Sequence, residues 1–237
     1  MKRIILMVLY NILLVPFLWC KLCYMGKNAK DYSQEERWKF LQLLTRRANK
    51  GGRVTIEVYH PENIPEEENF IFFPNHQGLF DVLAMIQSCP RFFAVVNKKE
   101  VGNIPLLKQV FQIMGAYSMD REDLRQSVEI INKVAADVKG GKNFLIFAEG
   151  TRSKLGNQPQ EFKGGSFKSA YKAKCPVVPV ALVDSYIPFD RNTIKKATVK
   201  VIYLKPIPYD EYKGMKTVEL AAEVKRRIEE AIAEHTA

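Results

Sequence analysis

The chain has 237 residues, 47% hydrophobic and 26% charged, with a formal net charge of +10 at pH 7, which excludes a disordered chain and suits one α/β catalytic domain with a short appendage. Four cysteines, Cys20, Cys23, Cys89 and Cys175, are too few and too scattered for a disulfide framework, so a reducing compartment is the simpler reading. The charge is uneven: residues 1–53 hold Lys2, Arg3, Lys21, Lys27, Lys30, Arg37, Lys39, Arg46, Arg47, Lys50 and Arg53 against Asp31, Glu35 and Glu36, which suits an anionic lipid surface, a solvated basic face or another polyanion such as nucleic acid.

From Ile4 to Trp19 the sequence IILMVLYNILLVPFLW is almost wholly apolar. No small-residue cleavage site follows it, which argues against a signal peptide. It is shorter than the ~20 residues of a spanning helix, Pro16 would kink it and Lys21 ends it, although residues 22–26 would extend a tilted span. The preferred reading is an anchor that enters one leaflet. The CxxC of Cys20 and Cys23 has no second pair and no nearby histidine, and reads as packing rather than a zinc site.

Ser33 and Glu36 have capping-box spacing, and Trp38, Leu41, Leu44 and Ala48 then recur at helical intervals until Gly51 and Gly52. The other face carries Arg37, Lys39, Arg46 and Arg47, so this helix either lies in a membrane interface or packs on the core. Val54, Ile56 and Val58 alternate as a strand with one buried face, and an acidic loop leads to Phe70–Phe73, a continuous apolar run typical of a central strand. Leu79, Val82, Leu83 and Ile86 mark a helix, and Phe92–Val96 the next strand.

A helix is expected from about Glu122 to Lys139, with Leu124, Val128, Ile131, Ala135 and Val138 as its apolar stripe and acidic residues in its first turn. Asn143–Phe147 reads as a strand running into a polar loop, Phe167–Lys174 as a helix, Val177–Val183 and Thr198–Leu204 as strands, and 217–234 as a closing amphipathic helix. Strands alternating with helices at this spacing imply an α/β fold with a largely parallel central sheet flanked by helices, and functional groups at the strand ends.

Two strand ends carry chemistry. His76 and Asp81 are five apart; five helical steps turn through about 500°, so the pair meets only if His76 stays in a loop and Asp81 comes from the first turn of the helix after it. Pro74, Asn75 and Gly78 favour that arrangement. A carboxylate on one ring nitrogen leaves the other free to take a proton. Taken alone, the spacing favours a structural or surface histidine; His60 and His235 lack comparable surroundings.

The second end is Glu149, Gly150, Thr151, Arg152, Ser153, whose guanidinium, hydroxyl and free amides suit a phosphate monoester, though an ordinary turn explains them too. Lys98, at the end of another strand, is positioned to approach the same anion. No GxSxG elbow, no P-loop and no cysteine in a nucleophile setting occurs, and His76 has no second histidine at metal-ligand spacing, so the nucleophile is expected from a substrate.

Asn75–Asp81 resembles the NHxxxxD block, and Phe147–Ser153 the FxEGTRS block, of the glycerolipid acyltransferases, above all the lysophosphatidic acid acyltransferases. Lys98, Lys99 and Glu100 with Pro105, Gly115 and Arg121 resemble the second block of that family, and Pro176–Leu182 its fourth; Phe162, Lys163 and Gly165 resemble the segment between the third and fourth. The similarity covers roughly residues 50–210, with Val101 and Gly102 departing from the leucine and bulky residue often found there.

The resemblance implies that His76, oriented by Asp81, deprotonates the sn-2 hydroxyl of lysophosphatidate, which attacks the thioester of acyl-CoA or acyl-carrier protein to give phosphatidate, without a covalent enzyme intermediate. It implies that Arg152, Lys98 and Arg121 hold the acceptor phosphate, with Thr151 beside them and Glu149 and Gly150 shaping the loop. It also implies a paired-helix membrane anchor over residues 1–52, a catalytic domain over 53–237, and an active site at the cytoplasmic face of a membrane. No cofactor, metal or nucleic acid is expected. The alternatives are an acyltransferase acting on glycerol 3-phosphate or another lysolipid, and a basic module binding membrane or nucleic acid.

Overall fold

The computed structural model describes residues 2–120 and 123–236. The amino-terminal third is helical: α1 (Lys2–Tyr10), α2 (Val15–Lys27) and α3 (Gln34–Gly51). Ser33 closes the reciprocal box at the start of α3, its Oγ accepting the Glu36 N–H at 3.2 Å while Glu36 Oε2 accepts the Ser33 N–H at 2.8 Å. The α/β body then runs β1 (Val54–Tyr59), β2 (Ile71–Pro74), α4 (Asp81–Ser88), β3 (Phe93–Lys98), α5 (Leu107–Met114), β4 (Tyr117–Met119), α6 (Leu124–Lys139) and β5 (Asn143–Leu145). It closes with α7 (Lys168–Ala173), β6 (Val177–Val183), α8 (Ile187–Asp190), β7 (Ala197–Tyr203), α9 (Tyr209–Tyr212) and α10 (Thr217–Thr236).

The seven strands form a sheet in the order β1-β7-β6-β2-β5-β3-β4. Among the described strands only the β6–β7 pair is antiparallel, so β6, β2, β5, β3 and β4 share one direction. β2 is the middle strand. Its continuous apolar run is explained by burial on both faces: Phe70 and Phe72 join the core on one side of the sheet, Ile71 and Phe73 the core on the other. Helices α3, α4 and α5 cover the first side, and α6, α7 and α10 the second.

Two expected patterns shift. β1 is an edge strand whose cover thins along its length, so Val54 is buried, Ile56 half-buried and Val58 exposed. On α6 the buried face centres on Ile130, Val134 and Val138 with Ala135 beside them, which leaves Val128 exposed just outside the covered arc. Asp123 caps that helix, its side chain accepting the Arg125 and Gln126 N–H groups at 2.9 and 3.0 Å, and no acidic residue lies in the first turn proper. Short elements α5, β4, α8 and α9 carry no periodic signal long enough to read in advance.

The first 52 residues differ in character from the rest, yet the core does not break there. Met7, Leu22, Met25, Trp38, Phe40 and Leu41 belong to the same apolar cluster as sheet residues Phe72, Val180 and Val199, because α1 packs on α3 and α2 on α5. Arg3 corrects the expectation of a basic lipid-facing flank: it is 1% exposed and donates from Nε to Pro188 O at 3.0 Å, from Nη1 to Gly52 O at 2.5 Å and from Nη2 to Lys195 O at 2.8 Å. α1 and α2 meet at a bend of 101°, and among the described residues no single helix is long and apolar enough to cross a membrane.

Candidate active site

The parallel strands deliver their carboxyl ends to one edge of the sheet, and the two loops singled out in the sequence meet there. β2 stops at Pro74, after which Asn75 continues the pairing by side chain: its Nδ2 donates to Leu182 O at 3.0 Å and its Oδ1 accepts the Leu182 N–H at 2.7 Å. The chain then turns, so that His76 lies outside any helix and Asp81 opens α4.

His76 Nδ1 lies 2.7 Å from Asp81 Oδ2. The same oxygen, in a fully buried carboxylate, accepts the backbone N–H groups of Gln77 at 2.7 Å and Gly78 at 3.0 Å. With an acid so anchored, Nδ1 carries the proton and Nε2 is left as acceptor. The imidazole is 17% exposed and stacks on Phe147, ring centroids 3.9 Å apart at 22°, so its plane is fixed by Phe147 on one face and by Asp81 at its Nδ1 edge.

The second loop braces the first. Glu149 is buried; its Oε1 accepts the His76 N–H at 2.7 Å and its Oε2 the Gln160 N–H at 2.9 Å, while the Ser153 N–H reaches His76 O at 2.7 Å. Burial pushes the Glu149 carboxyl up from the ordinary carboxylate range, and those two amides oppose the rise. Glu149 therefore positions the histidine loop and is not available to a substrate. Gly150 adopts φ +77°, a conformation that strains any residue with a Cβ, so the turn favours glycine.

Thr151 and Arg152 project outward from this frame, both exposed. Arg152 Nη1 lies 3.8 Å from Asp190 Oδ1 on α8. Lys98 reaches the same sheet edge, but β5 separates its strand from β2; its Nζ pairs with Glu100 at 2.9 Å, and among the described residues no hydrogen bond or ion pair joins it to the Arg152 loop. Arg121 lies outside the described residues.

Sequence reasoning missed the polar residues that tie these loops together. Gln77 donates to Asn157 Oδ1 at 2.8 Å and accepts the Ser185 N–H at 2.7 Å, and Asn157 bridges on to Asp184. Asn75 adjoins the histidine and offered a local signal; Asn157 and Asp190 offered none. Burial pushes the Cys89 and Cys175 thiols up to about 12, so neither is a thiolate nucleophile near neutral pH. The site is thus equipped to take a proton from a hydroxyl group beside an exposed guanidinium.

A family model described as Acyltransferase matches residues 55–183, which contain both loops. The 1-acyl-sn-glycerol-3-phosphate acyltransferase of Salmonella typhimurium is 28% identical over 98% of this chain and 92% of its own. That of Cocos nucifera is 31% identical over 70% of this chain, and the match spans 53% of that longer protein. The solved structure of the 1-acyl-sn-glycerophosphate acyltransferase of Thermotoga maritima superposes with a TM-score of 0.75, covering 97% of this chain and 96% of its own at 22% identity, a likeness of fold.

Proposed function

The chain belongs to the acyltransferase family, and from that premise we propose that it transfers an acyl group from acyl-CoA or acyl-carrier protein to the sn-2 hydroxyl of 1-acylglycerol 3-phosphate, giving phosphatidate. The observation that carries this reading is the His76–Asp81 pair at 2.7 Å, set on the loop beside Arg152. The relatives named for this activity support the choice of acceptor.

In this reading His76 Nε2 takes the hydroxyl proton as the oxygen attacks the thioester carbonyl carbon. The tetrahedral adduct collapses by breaking the carbon–sulfur bond, and the imidazolium returns its proton to the departing thiolate. A thioester is reactive enough for direct attack, so no enzyme nucleophile or separate cofactor is invoked. Arg152 offers a planar fork to the acceptor phosphate, with the Thr151 hydroxyl beside it, and Lys98 adds positive charge along the same edge; Arg121 joins this reading through the sequence motif alone. Nucleic acid has no part in this reading.

Acyl transfer measured with lysophosphatidate, glycerol 3-phosphate and a phosphate-free monoacylglycerol, each with acyl-CoA and acyl-carrier protein, tests it directly. Preference for glycerol 3-phosphate would overturn the acceptor assignment. Arg152→Ala should raise the lysophosphatidate KM about tenfold or more, and slow turnover, while changing kinetics toward monoacylglycerol far less, because an ionic hydrogen bond contributes about 1.5–3 kcal/mol. Equal losses for the two acceptors would rule out a phosphate clamp.

We place the enzyme at the cytoplasmic face of a membrane, anchored by α1 and α2 without crossing it. Leu13 is 91% and Phe17 66% exposed, with Ile5, Leu9 and Ile12 also exposed around the bend, an apolar surface suited to one leaflet. Both acceptor and product are lipids, so a site resting on the leaflet takes them without extraction into water. Deleting the helices would also remove core residues Met7 and Leu22, so the cleaner test is Leu13→Asp with Phe17→Asp. Sedimentation with anionic vesicles should fall several-fold at unchanged Tm; full retention would move the binding surface elsewhere.

A further inference from the structure

An acidic residue beside an anion-binding arginine needs a reason, since a carboxylate there repels the phosphate that the arginine is to receive. Asp190 is such a residue, and its place is built. α8 is held by the buried Arg3, whose Nε donates to Pro188 O at 3.0 Å, and by its own Phe189, which meets the Phe80 ring edge-on with centroids 5.2 Å apart. One carboxylate oxygen faces Arg152 Nη1 at 3.8 Å. The other lies against the turn that carries the base: a Cβ on Gly78 would fall 2.9 Å from Asp190 Oδ2. Arg152 and Asp190 together therefore border the His76–Asp81 turn, both partly open to solvent.

We propose that Asp190 sets acceptor affinity by holding Arg152 in the free enzyme, as an internal stand-in for the phosphate that displaces it on binding. The inference rests on the reading of Arg152 as the phosphate clamp. A half-exposed pair at this separation is weak, which a reversible stand-in requires. A phosphate monoester brings more charge and more acceptor oxygens to the guanidinium than the carboxylate does, so it wins the exchange. Meanwhile the pair keeps the arginine oriented and discourages small anions from settling on it.

The test is steady-state kinetics with lysophosphatidate on wild type, Asp190→Asn, Asp190→Glu, Arg152→Ala and the Asp190→Asn/Arg152→Ala double variant, at low and high salt, with inorganic phosphate as competitor. Asp190→Asn should lower the acceptor KM about two- to five-fold at low salt, the range an exposed pair supplies, and the effect should shrink at high salt. Inhibition by inorganic phosphate should strengthen by a similar factor, and Asp190→Glu should return both toward wild type. In the Arg152→Ala background Asp190→Asn should lower the KM by a clearly smaller factor, since only the direct repulsion of the phosphate is then relieved. A KM that is unchanged or raised in Asp190→Asn overturns the proposal, as does an equal KM decrease in the absence of Arg152. If Arg152→Ala itself leaves the lysophosphatidate KM unaltered, the clamp reading fails and takes this inference with it; a raised KM there with an inert Asp190→Asn overturns the stand-in alone.

Discussion

Replacing His76 with alanine should lower kcat for acyl transfer by about 10²- to 10⁴-fold, the usual contribution of a general base, while leaving vesicle binding intact. The change is confined to the imidazole. The His76 N–H still meets Glu149, the His76 carbonyl still accepts from Ser153, and Asp81 keeps the Gln77 and Gly78 amides. The loop therefore keeps its main-chain anchors, and because the ring is mostly buried and stacked on Phe147, Tm should fall modestly with the fold retained. Acceptor KM should change far less than kcat, because the phosphate contacts lie on the other loop. Measuring turnover with saturating lysophosphatidate and acyl-CoA, alongside Tm, checks both parts. Turnover within a few-fold of wild type would remove His76 from the chemistry.

The sequence revealed the elements that act over long stretches or through strong local rules. The run Phe70–Phe73 announced a strand buried on both faces, and it became the middle of the sheet. Ser33 and Glu36 announced a capped helix, and the spacing of His76 and Asp81, with Pro74 and Gly78 between strand and helix, required a loop histidine and a helix-first aspartate. What stayed hidden depends on tertiary contact. Glu149 was expected to shape its own loop, but the sequence did not show that its buried carboxylate would also accept the His76 backbone N–H of the other loop. Arg3 looked like a lipid-facing charge until three carbonyls from distant segments claimed its nitrogens. Asp190 sits on a four-residue helix that no periodicity marks, and only the packing of α8 against the Gly78 turn brings it to Arg152.

Asp81 offers the second large effect, and it separates two duties that one carboxylate performs. Oδ2 caps the turn through two backbone amides and orients His76 through Nδ1. Asp81→Asn preserves shape and, with its amide oxygen in the Oδ2 position, still accepts from both amides and from the imidazole. What it loses is the negative charge that stabilises the imidazolium formed when the base takes a proton, so kcat should fall about 10²-fold or more with the fold retained. Asp81→Ala removes both duties. It leaves two N–H donors unpaired inside the protein, at about 1–3 kcal/mol each, so Tm should drop as well as turnover. Turnover close to wild type in Asp81→Asn, with only Asp81→Ala impaired, would reduce Asp81 to a turn cap and leave His76 to act without a carboxylate partner.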